Sequence, residues 1–156
     1  MGGSGRRMPE GSVRYKRSRF STRLPKGRLY TASHFWIWSD EGGGLQIGFT
    51  KFATRMLGDL VEFGFEVEEG ETIEVGQIIG WVEGFKAATD LFSVVEGRFA
   101  GGNPILEGKI GLLRSDPYGR GWLYRAEGAP EVSSVNVEGY VEILDTTIDR
   151  IRGSYE

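Results

Sequence analysis

One lysine in this sequence lies in surroundings that suit covalent modification. Lys86 follows short apolar runs separated by glycines, and the small residues Ala87 and Ala88 come directly after it. This pattern predicts a series of strands and turns, with Lys86 in a tight loop between two strands. An amine at such a tip is reachable from several sides and can be acylated without disturbing a core. The alternative is an ordinary solvated loop lysine, which is the usual state of an isolated lysine.

The residue types that carry most enzyme chemistry are scarce. The sequence has no cysteine, and its one histidine is His34. These facts exclude disulfides, a thiolate nucleophile and a multi-histidine metal site, although a Ser-His-Asp triad stays formally open. We expect His34 to be structural, and we expect no catalytic residue and no metal site. Chemistry in which this chain takes part would then be supplied by a cofactor.

The charge is unevenly distributed along the chain. Residues 1–30 hold nine basic residues against Glu10 alone, a net charge of +8, whereas the rest holds 10 basic and 21 acidic residues, a net charge of −11. We therefore divide the chain into a basic N-terminal extension, residues 1–28, and a folded domain, residues 29–156. Residues 1–5 are interpreted as vector-derived, and order is predicted to begin near Leu29.

The basic extension has several open interpretations. It could be solvated, pack on the acidic body, or bind an acidic partner or nucleic acid. Its apolar residues Tyr15, Phe20 and Leu24 predict that part of it lies against the body. We do not expect nucleic acid to be a partner.

Apolar periodicity predicts a mostly β body. Alternation predicts strands over residues 34–38, 45–49 and 61–67. A short helix is predicted from an N-cap at Thr50 to Leu57, and a C-terminal helix from about Tyr140 to Arg152, in which Asp145 interrupts the apolar pattern. Together they predict two small sheets packed as a flattened barrel or sandwich, with short flanking helices.

The residues around Lys86 follow a regular spacing, Gly70-x-x-Ile73-x-x-Gly76-x-x-Ile79-x-x-Val82-Glu83-Gly84-x-Lys86-Ala87, and then Leu91, Ser93 and Gly97. This pattern resembles the lipoyl attachment motif of the glycine cleavage H-proteins. Four more segments match that family in order: His34-x-Trp36, Phe49-Thr50-Lys51-Phe52-Ala53 with Leu57-Gly58-Asp59, Asn103-x-x-Leu106, and Asp116-Pro117-Tyr118-Gly119-x-Gly121-Trp122-Leu123. The resemblance covers roughly residues 34–125.

The sequence also departs from the family pattern. Gly84 and Phe85 stand where the family usually has Ser-Val before the lysine, and Val94 stands where proline is common. The basic extension has no counterpart in the short H-proteins. The chain is therefore identified as resembling a divergent branch of the glycine cleavage system H-protein family with a basic N-terminal extension.

The resemblance implies a lipoyl/biotinyl-type β barrel-sandwich and a lipoyl carrier protein that is not itself an enzyme. Lipoate would be joined by an amide to Lys86, and Glu83 is expected to face outward and contact the lipoylating enzyme. The carrier would shuttle an aminomethyl group between enzymes. The implied partners are glycine decarboxylase, aminomethyltransferase, dihydrolipoyl dehydrogenase, and a lipoate ligase or lipoyltransferase. A cytoplasmic location without membrane association is expected.

Three alternatives stay open at this point. The same lysine would serve a relay carrier that holds lipoyl or octanoyl groups for the lipoylation of other enzymes. A biotinyl carrier shares the hairpin, but Phe85 and Ala87 stand where biotin domains usually have methionines. The last alternative is an unmodified interaction module that uses the basic extension.

Overall fold

The computed structural model describes residues 11–154, which form a mostly β structure. In chain order the elements are β1 (Ser12–Arg17), β2 (Phe20–Pro25), β3 (Leu29–Tyr30), β4 (Phe35–Ser39), β5 (Gly44–Phe49), α1 (Lys51–Leu57), β6 (Leu60–Phe65), β7 (Thr72–Ile73), β8 (Ile78–Gly84), β9 (Ala88–Phe92), β10 (Val95–Gly102), α2 (Leu112–Ser115), β11 (Tyr124–Pro130) and α3 (Val137–Ser154). Within the described residues no helix is long and apolar enough to cross a bilayer.

The strands form three antiparallel sheets. The largest has the order β3-β4-β5-β11-β10-β7, the second has the order β6-β8-β9, and β1 pairs with β2 alone. Apolar side chains of the two larger sheets share one core, which includes Ile47, Ile73, Ile79, Leu91 and Val95. The predicted mostly β sandwich is therefore confirmed, and the hairpin β1–β2 is an addition to it.

The sequence predicts two of the three α-helices: α1 has the predicted N-cap and end, α3 has different ends, and α2 was not predicted. Thr50 caps α1, because its hydroxyl oxygen accepts a hydrogen bond from the amide of Ala53 at 3.3 Å. The helix α3 begins at Val137, three residues before the predicted Tyr140. The side chain of Asn136 explains the earlier start, since its oxygen accepts the amide of Gly139 at 2.9 Å.

The prediction that order begins near Leu29 is wrong. The hairpin β1–β2 begins at Ser12, and Ser18 in its turn adopts a left-handed φ of 57°. The predicted anchors Tyr15, Phe20 and Leu24 are all buried. They alternate with exposed residues, most of which are charged, and this period of two is the strand signal that the basic composition obscured. Residues 1–10 of the extension lie outside the described residues.

The hairpin packs on α1 and α3 and not on the main core. Phe20 contacts Phe52 of α1 edge to face, with ring centroids 5.4 Å apart. The Tyr15 hydroxyl donates to Asp145 of α3 at 2.8 Å, and Arg17 forms ion pairs with both Asp145 and Asp149. The polar Asp145 that interrupts the apolar face of α3 is therefore a binding point for the hairpin.

Candidate functional site

Lys86 lies at the tip of the hairpin that joins β8 to β9. The register pairs Glu83 with Ala88, and the amide of Gly84 donates to the carbonyl oxygen of Ala87 at 2.8 Å. Phe85 and Lys86 are thus the two residues of a tight turn, as the sequence predicts. Both side chains are exposed, and Phe85 is 80% exposed.

The tip is fixed to the end of α1 by its own backbone. The amide of Phe85 donates to the carbonyl oxygen of Asp59, and the amide of Lys86 donates to that of Leu57, both at 2.9 Å. Two glycines allow this approach. A Cβ on Gly84 would overlap the carbonyl oxygen of Leu57, and a Cβ on Gly58 would lie 2.9 Å from Cγ of Lys86. The base of the Lys86 side chain is therefore held in one position.

The Lys86 amine is available for acylation. Its Nζ lies 3.5 Å from the carbonyl oxygen of Arg55, at the limit of a hydrogen bond. Among residues 11–154 no carboxylate lies within ion-pair distance of it. Acylation of this amine would remove a positive charge without breaking an ion pair or opening a core. Lys86 thus fits a carboxylic acid cofactor that is joined by an amide.

Glu83 is exposed on β8, three residues before Lys86, so the expectation that it faces outward is confirmed. The register places it directly opposite Glu62 of β6. Two carboxylates side by side on neighbouring strands repel each other. They give this side of the hairpin an acidic surface.

Lys86 also borders a cleft of about 330 Å³. Its lining comes from β2, α1 and α2, and consists of Phe20, Ser21, Lys51, Thr54, Arg55, Arg114 and Lys86 itself. Arg114 forms an ion pair with Asp59, and Lys51 donates to the carbonyl oxygen of Arg114 at 3.1 Å. Cations therefore dominate this cleft.

Sequence comparisons agree with this geometry. The family profile described as Glycine cleavage H-protein matches residues 28–145. Relatives named Glycine cleavage system H protein from Listeria monocytogenes and Bacteroides fragilis are each 37% identical over 125 residues, which cover 78% of this chain and 98% of the relative. The chain belongs to the glycine cleavage H-protein family.

A solved structure supports the same assignment. The crystal structure of a glycine cleavage system H protein from Mycobacterium marinum matches with a TM-score of 0.69 at 32% identity, covering 76% of this chain and 97% of that chain. H-proteins are non-catalytic lipoyl carriers. The family match starts at residue 28, so the hairpin β1–β2 precedes the shared H-protein body.

His34 lies outside the Lys86 site, in the packing between β4, α1 and α3. Its Nδ1 is 2.8 Å from the hydroxyl of Tyr140, and its ring packs on Phe52. Burial lowers the pKa of His34 to about 4, so the ring is neutral at pH 7. A φ of 72° explains why the predicted strand at residue 34 begins only at Phe35.

Several site residues escaped sequence analysis. Gly58 directly follows the predicted end of the helix at Leu57, and it also makes room for Lys86. The carbonyl groups of Leu57 and Asp59 are backbone atoms, so no residue type in the sequence marks them as hydrogen-bond acceptors for the turn. The wall that β2 adds through Phe20 and Ser21 is distant in sequence from Lys86. The one available signal lay in the turn itself, where Gly84 replaces the family's usual serine, since an isolated glycine in a strand often marks a close backbone approach.

Proposed function

We propose that this H-protein is the lipoyl carrier of a glycine cleavage system, with lipoate attached to Lys86 by an amide. The observation that carries this proposal is the exposed amine of Lys86, which lies in register with the family's attachment motif on a backbone-fixed tight turn. When bound, lipoate would supply a disulfide whose reversible reduction frees two sulfur atoms for carrying a one-carbon group. The chain itself holds and presents this group.

The fixed turn explains how the chain would perform this task. Two backbone hydrogen bonds hold the base of the Lys86 side chain, so the flexible part of the arm begins beyond the backbone. A group tethered in this way reaches a docked enzyme at an effective concentration on the order of mM. The hydrogen bonds from Phe85 and Lys86 therefore limit the arm to one region of the surface.

The proposal includes the enzymes that the carrier would serve. These are glycine decarboxylase, aminomethyltransferase and dihydrolipoyl dehydrogenase, together with a lipoate ligase or lipoyltransferase that loads Lys86. The names of the relatives support a role in this system. We also propose a cytoplasmic location and a carrier unit of residues 29–156, whose start agrees with the family match at residue 28.

We propose further that the lipoylating enzyme recognises Glu83. This carboxylate is exposed, lies three residues from Lys86 and forms an acidic surface with Glu62. An enzyme that binds the turn through cationic side chains would contact both carboxylates.

Intact mass tests the attachment site. We expect the full chain, coexpressed with a lipoate ligase and supplied with lipoate, to gain the mass of one lipoyl group. The variant Lys86→Arg keeps the charge and should gain none. An unchanged wild-type mass beside a modified control H-protein would refute the proposal and favour an unmodified interaction module.

Initial lipoylation rates test the recognition role. We expect Glu83→Ala to slow the reaction, whereas Glu96→Ala, which removes an exposed carboxylate on β10, should not. Equal rates for both variants would make Glu83 a solvated strand residue only.

A further inference from the structure

The outward face of the hairpin β1–β2 is strongly basic. Arg14, Lys16 and Arg23 are exposed on it, and no acidic residue occurs between Gly11 and Tyr30. Arg17 is not part of this face, because it is engaged by Asp145 and Asp149 of α3.

The placement of these cations destabilises the hairpin. The register places Arg14 directly opposite Arg23, and like charges at such positions repel. The buried side chains of Tyr15, Phe20 and Leu24 hold the two strands on the body despite this repulsion. The cations are therefore presented from a fixed surface and not from a mobile tail.

This surface continues to the Lys86 turn. Ser21 borders both the cleft beside Lys86 and a second depression of about 530 Å³ that Arg14, Lys16 and Arg23 line. We define the basic face as these hairpin residues together with the cations of the cleft: Arg14, Lys16, Arg23, Lys51, Arg55 and Arg114. In this set Arg114 alone forms an ion pair with a carboxylate of the described residues, Asp59.

We propose that the basic face is a docking surface for a partner enzyme whose active-site entrance is surrounded by acidic side chains. The proposal rests on the carrier function of Lys86. An arm on Lys86 acts only after it enters a protein active site, and an acidic rim would orient that entrance over the turn by charge complementarity. A nucleic acid bound to the same face would offer no active site for the arm to enter.

Phe85 adds an exposed apolar side chain next to Lys86 in the turn. It is 80% exposed on the fixed turn beside Lys86. Aromatic side chains are common anchors where a charged rim surrounds an apolar centre. The partner is therefore expected to offer an apolar pocket inside its acidic rim.

Direct binding of the unmodified full chain tests docking without requiring lipoate. The three probes are purified glycine decarboxylase, aminomethyltransferase and dihydrolipoyl dehydrogenase, measured by biolayer interferometry at about 50 mM and about 300 mM NaCl. The test variant is Arg14→Glu/Lys16→Glu/Arg23→Glu, and Arg14→Gln/Lys16→Gln/Arg23→Gln is its milder form. The control, Arg98→Glu/Lys109→Glu/Arg120→Glu, changes the same charge at exposed residues that line neither depression.

We expect at least one enzyme to bind the wild-type chain more weakly at high salt and to lose about tenfold in affinity with the charge-reversed test variant. The glutamine variant should lose less, and the control should stay within about twofold. A 20-nucleotide RNA is measured against the wild-type chain in the same way. The proposal would be overturned if the test variant bound the enzymes as the wild type does, if no enzyme bound, or if the RNA bound more tightly than every enzyme.

Lipoylation distinguishes this failure from a failure of the carrier function. The test variant should gain the lipoyl mass as the wild type does, because Glu83 and Glu62 are unchanged. If the test variant is lipoylated normally and binds the enzymes as the wild type does, only the docking role of the basic face is rejected. A chain that is never lipoylated rejects the carrier function, whatever it binds.

Discussion

Two strand pairs flank Lys86, and each carries like charges directly opposite each other. In β1–β2 the pair is Arg14 and Arg23, and in β6–β8 it is Glu62 and Glu83. Each pair reduces the stability of its own strands. Since both pairs are exposed, packing explains neither, and the two proposals above give each pair a role in binding. One lysine thus lies near both an acidic surface, proposed to bind the lipoylating enzyme, and a basic surface, proposed to bind an enzyme that uses the arm.

The two surfaces are supported by different cores. The acidic pair belongs to a sheet that packs in the main core, whereas the basic hairpin packs in a second cluster with α3. The helix α1 joins them, because Leu57 belongs to the first cluster and Phe52 to the second. The same helix end accepts the hydrogen bond from the amide of Lys86. The attachment turn is therefore positioned where the two cores meet.

The largest expected effect comes from removing the anchor of the basic hairpin. Phe20 is buried against Tyr15 and Phe52, so we expect Phe20→Ala to cost about 3 to 4 kcal/mol of stability. The loss should be local, since Phe20 does not belong to the main core. Limited proteolysis should show faster cleavage at Arg14, Arg19 and Arg23, while Ser21→Ala, an exposed control, leaves it unchanged.

The wild-type hairpin should resist the same protease at both low and high salt. Salt screens its charges, but its apolar anchors are not screened. Rapid wild-type cleavage at all three sites under both conditions would show that the hairpin is not held, and the comparison between two fixed surfaces would fail.

The second effect concerns the junction between the surfaces. In Gly84→Ala the new methyl group would overlap the carbonyl oxygen of Leu57, so the turn must move away from α1. Overpacking and the loss of two hydrogen bonds together predict a cost of about 3 kcal/mol. Urea unfolding measures it, and hydrogen exchange should show lost protection at the amides of Phe85 and Lys86.

Gly111→Ala is the matched control for this variant, because no atom lies within 4 Å of the added Cβ. It should stay within about 0.5 kcal/mol of the wild type. If Gly84→Ala were equally neutral, the turn would not be held by α1 as described.

The third effect is an acid sensitivity that we expect in the core of the basic hairpin and not in the main core. Burial lowers the pKa of His34 to about 4, against 6.5 in an unfolded chain. As the pH falls from 6.5 to 4 the unfolded chain binds a proton that the folded chain does not, so stability is lost in this window. The free energy of unfolding falls by about 2 kcal/mol over this window, after a reduction for solvent screening because His34 is partly exposed.

His34 packs on Phe52, so acid should release the basic hairpin before the acidic sheet. The variant His34→Asn tolerates the left-handed backbone and lacks the titrating ring. Its free energy of unfolding should change less between pH 6.5 and 4 than that of the wild type. Parallel pH curves for the two proteins would assign the acid sensitivity to other groups.

The smallest effect tests the like-charge pairs themselves. We expect Arg14→Gln and Glu62→Gln each to stabilise the fold by about 0.5 kcal/mol, because each removes a cross-strand repulsion. Urea titrations of both variants and the wild type measure the change. A loss of stability in either variant would mean that favourable contacts hold the wild-type charge. The like-charge pair on that surface would then not be destabilising.

The sequence was sufficient to predict the sandwich, the turn at Lys86 and the outward position of Glu83. Apolar alternation and glycine spacing carry this information locally. The N-cap at Thr50 and the helix that follows it were also predictable, because capping depends on adjacent residues.

The sequence was not sufficient to predict the cleft or the basic face. Both depend on contacts between segments far apart in the chain, such as Ser21 near Lys86 and Tyr15 on Asp145. Asp145 looked like a defect in an amphipathic helix, since its partner lies 130 residues away. The carbonyl groups that hold the turn are backbone atoms, and no side chain identifies them.

Tryptic mapping of the lipoylated chain shows directly whether lipoate is joined to Lys86. Trypsin does not cleave after an acylated lysine, and Lys86 is the only cleavage site between Met56 and Arg98. If lipoate is joined to Lys86, the digest contains the uncleaved peptide from Met56 to Arg98 with the added mass. Complete cleavage after Lys86, with the added mass on Lys16, Lys26, Lys51 or Lys109, would show that Lys86 is not the attachment site.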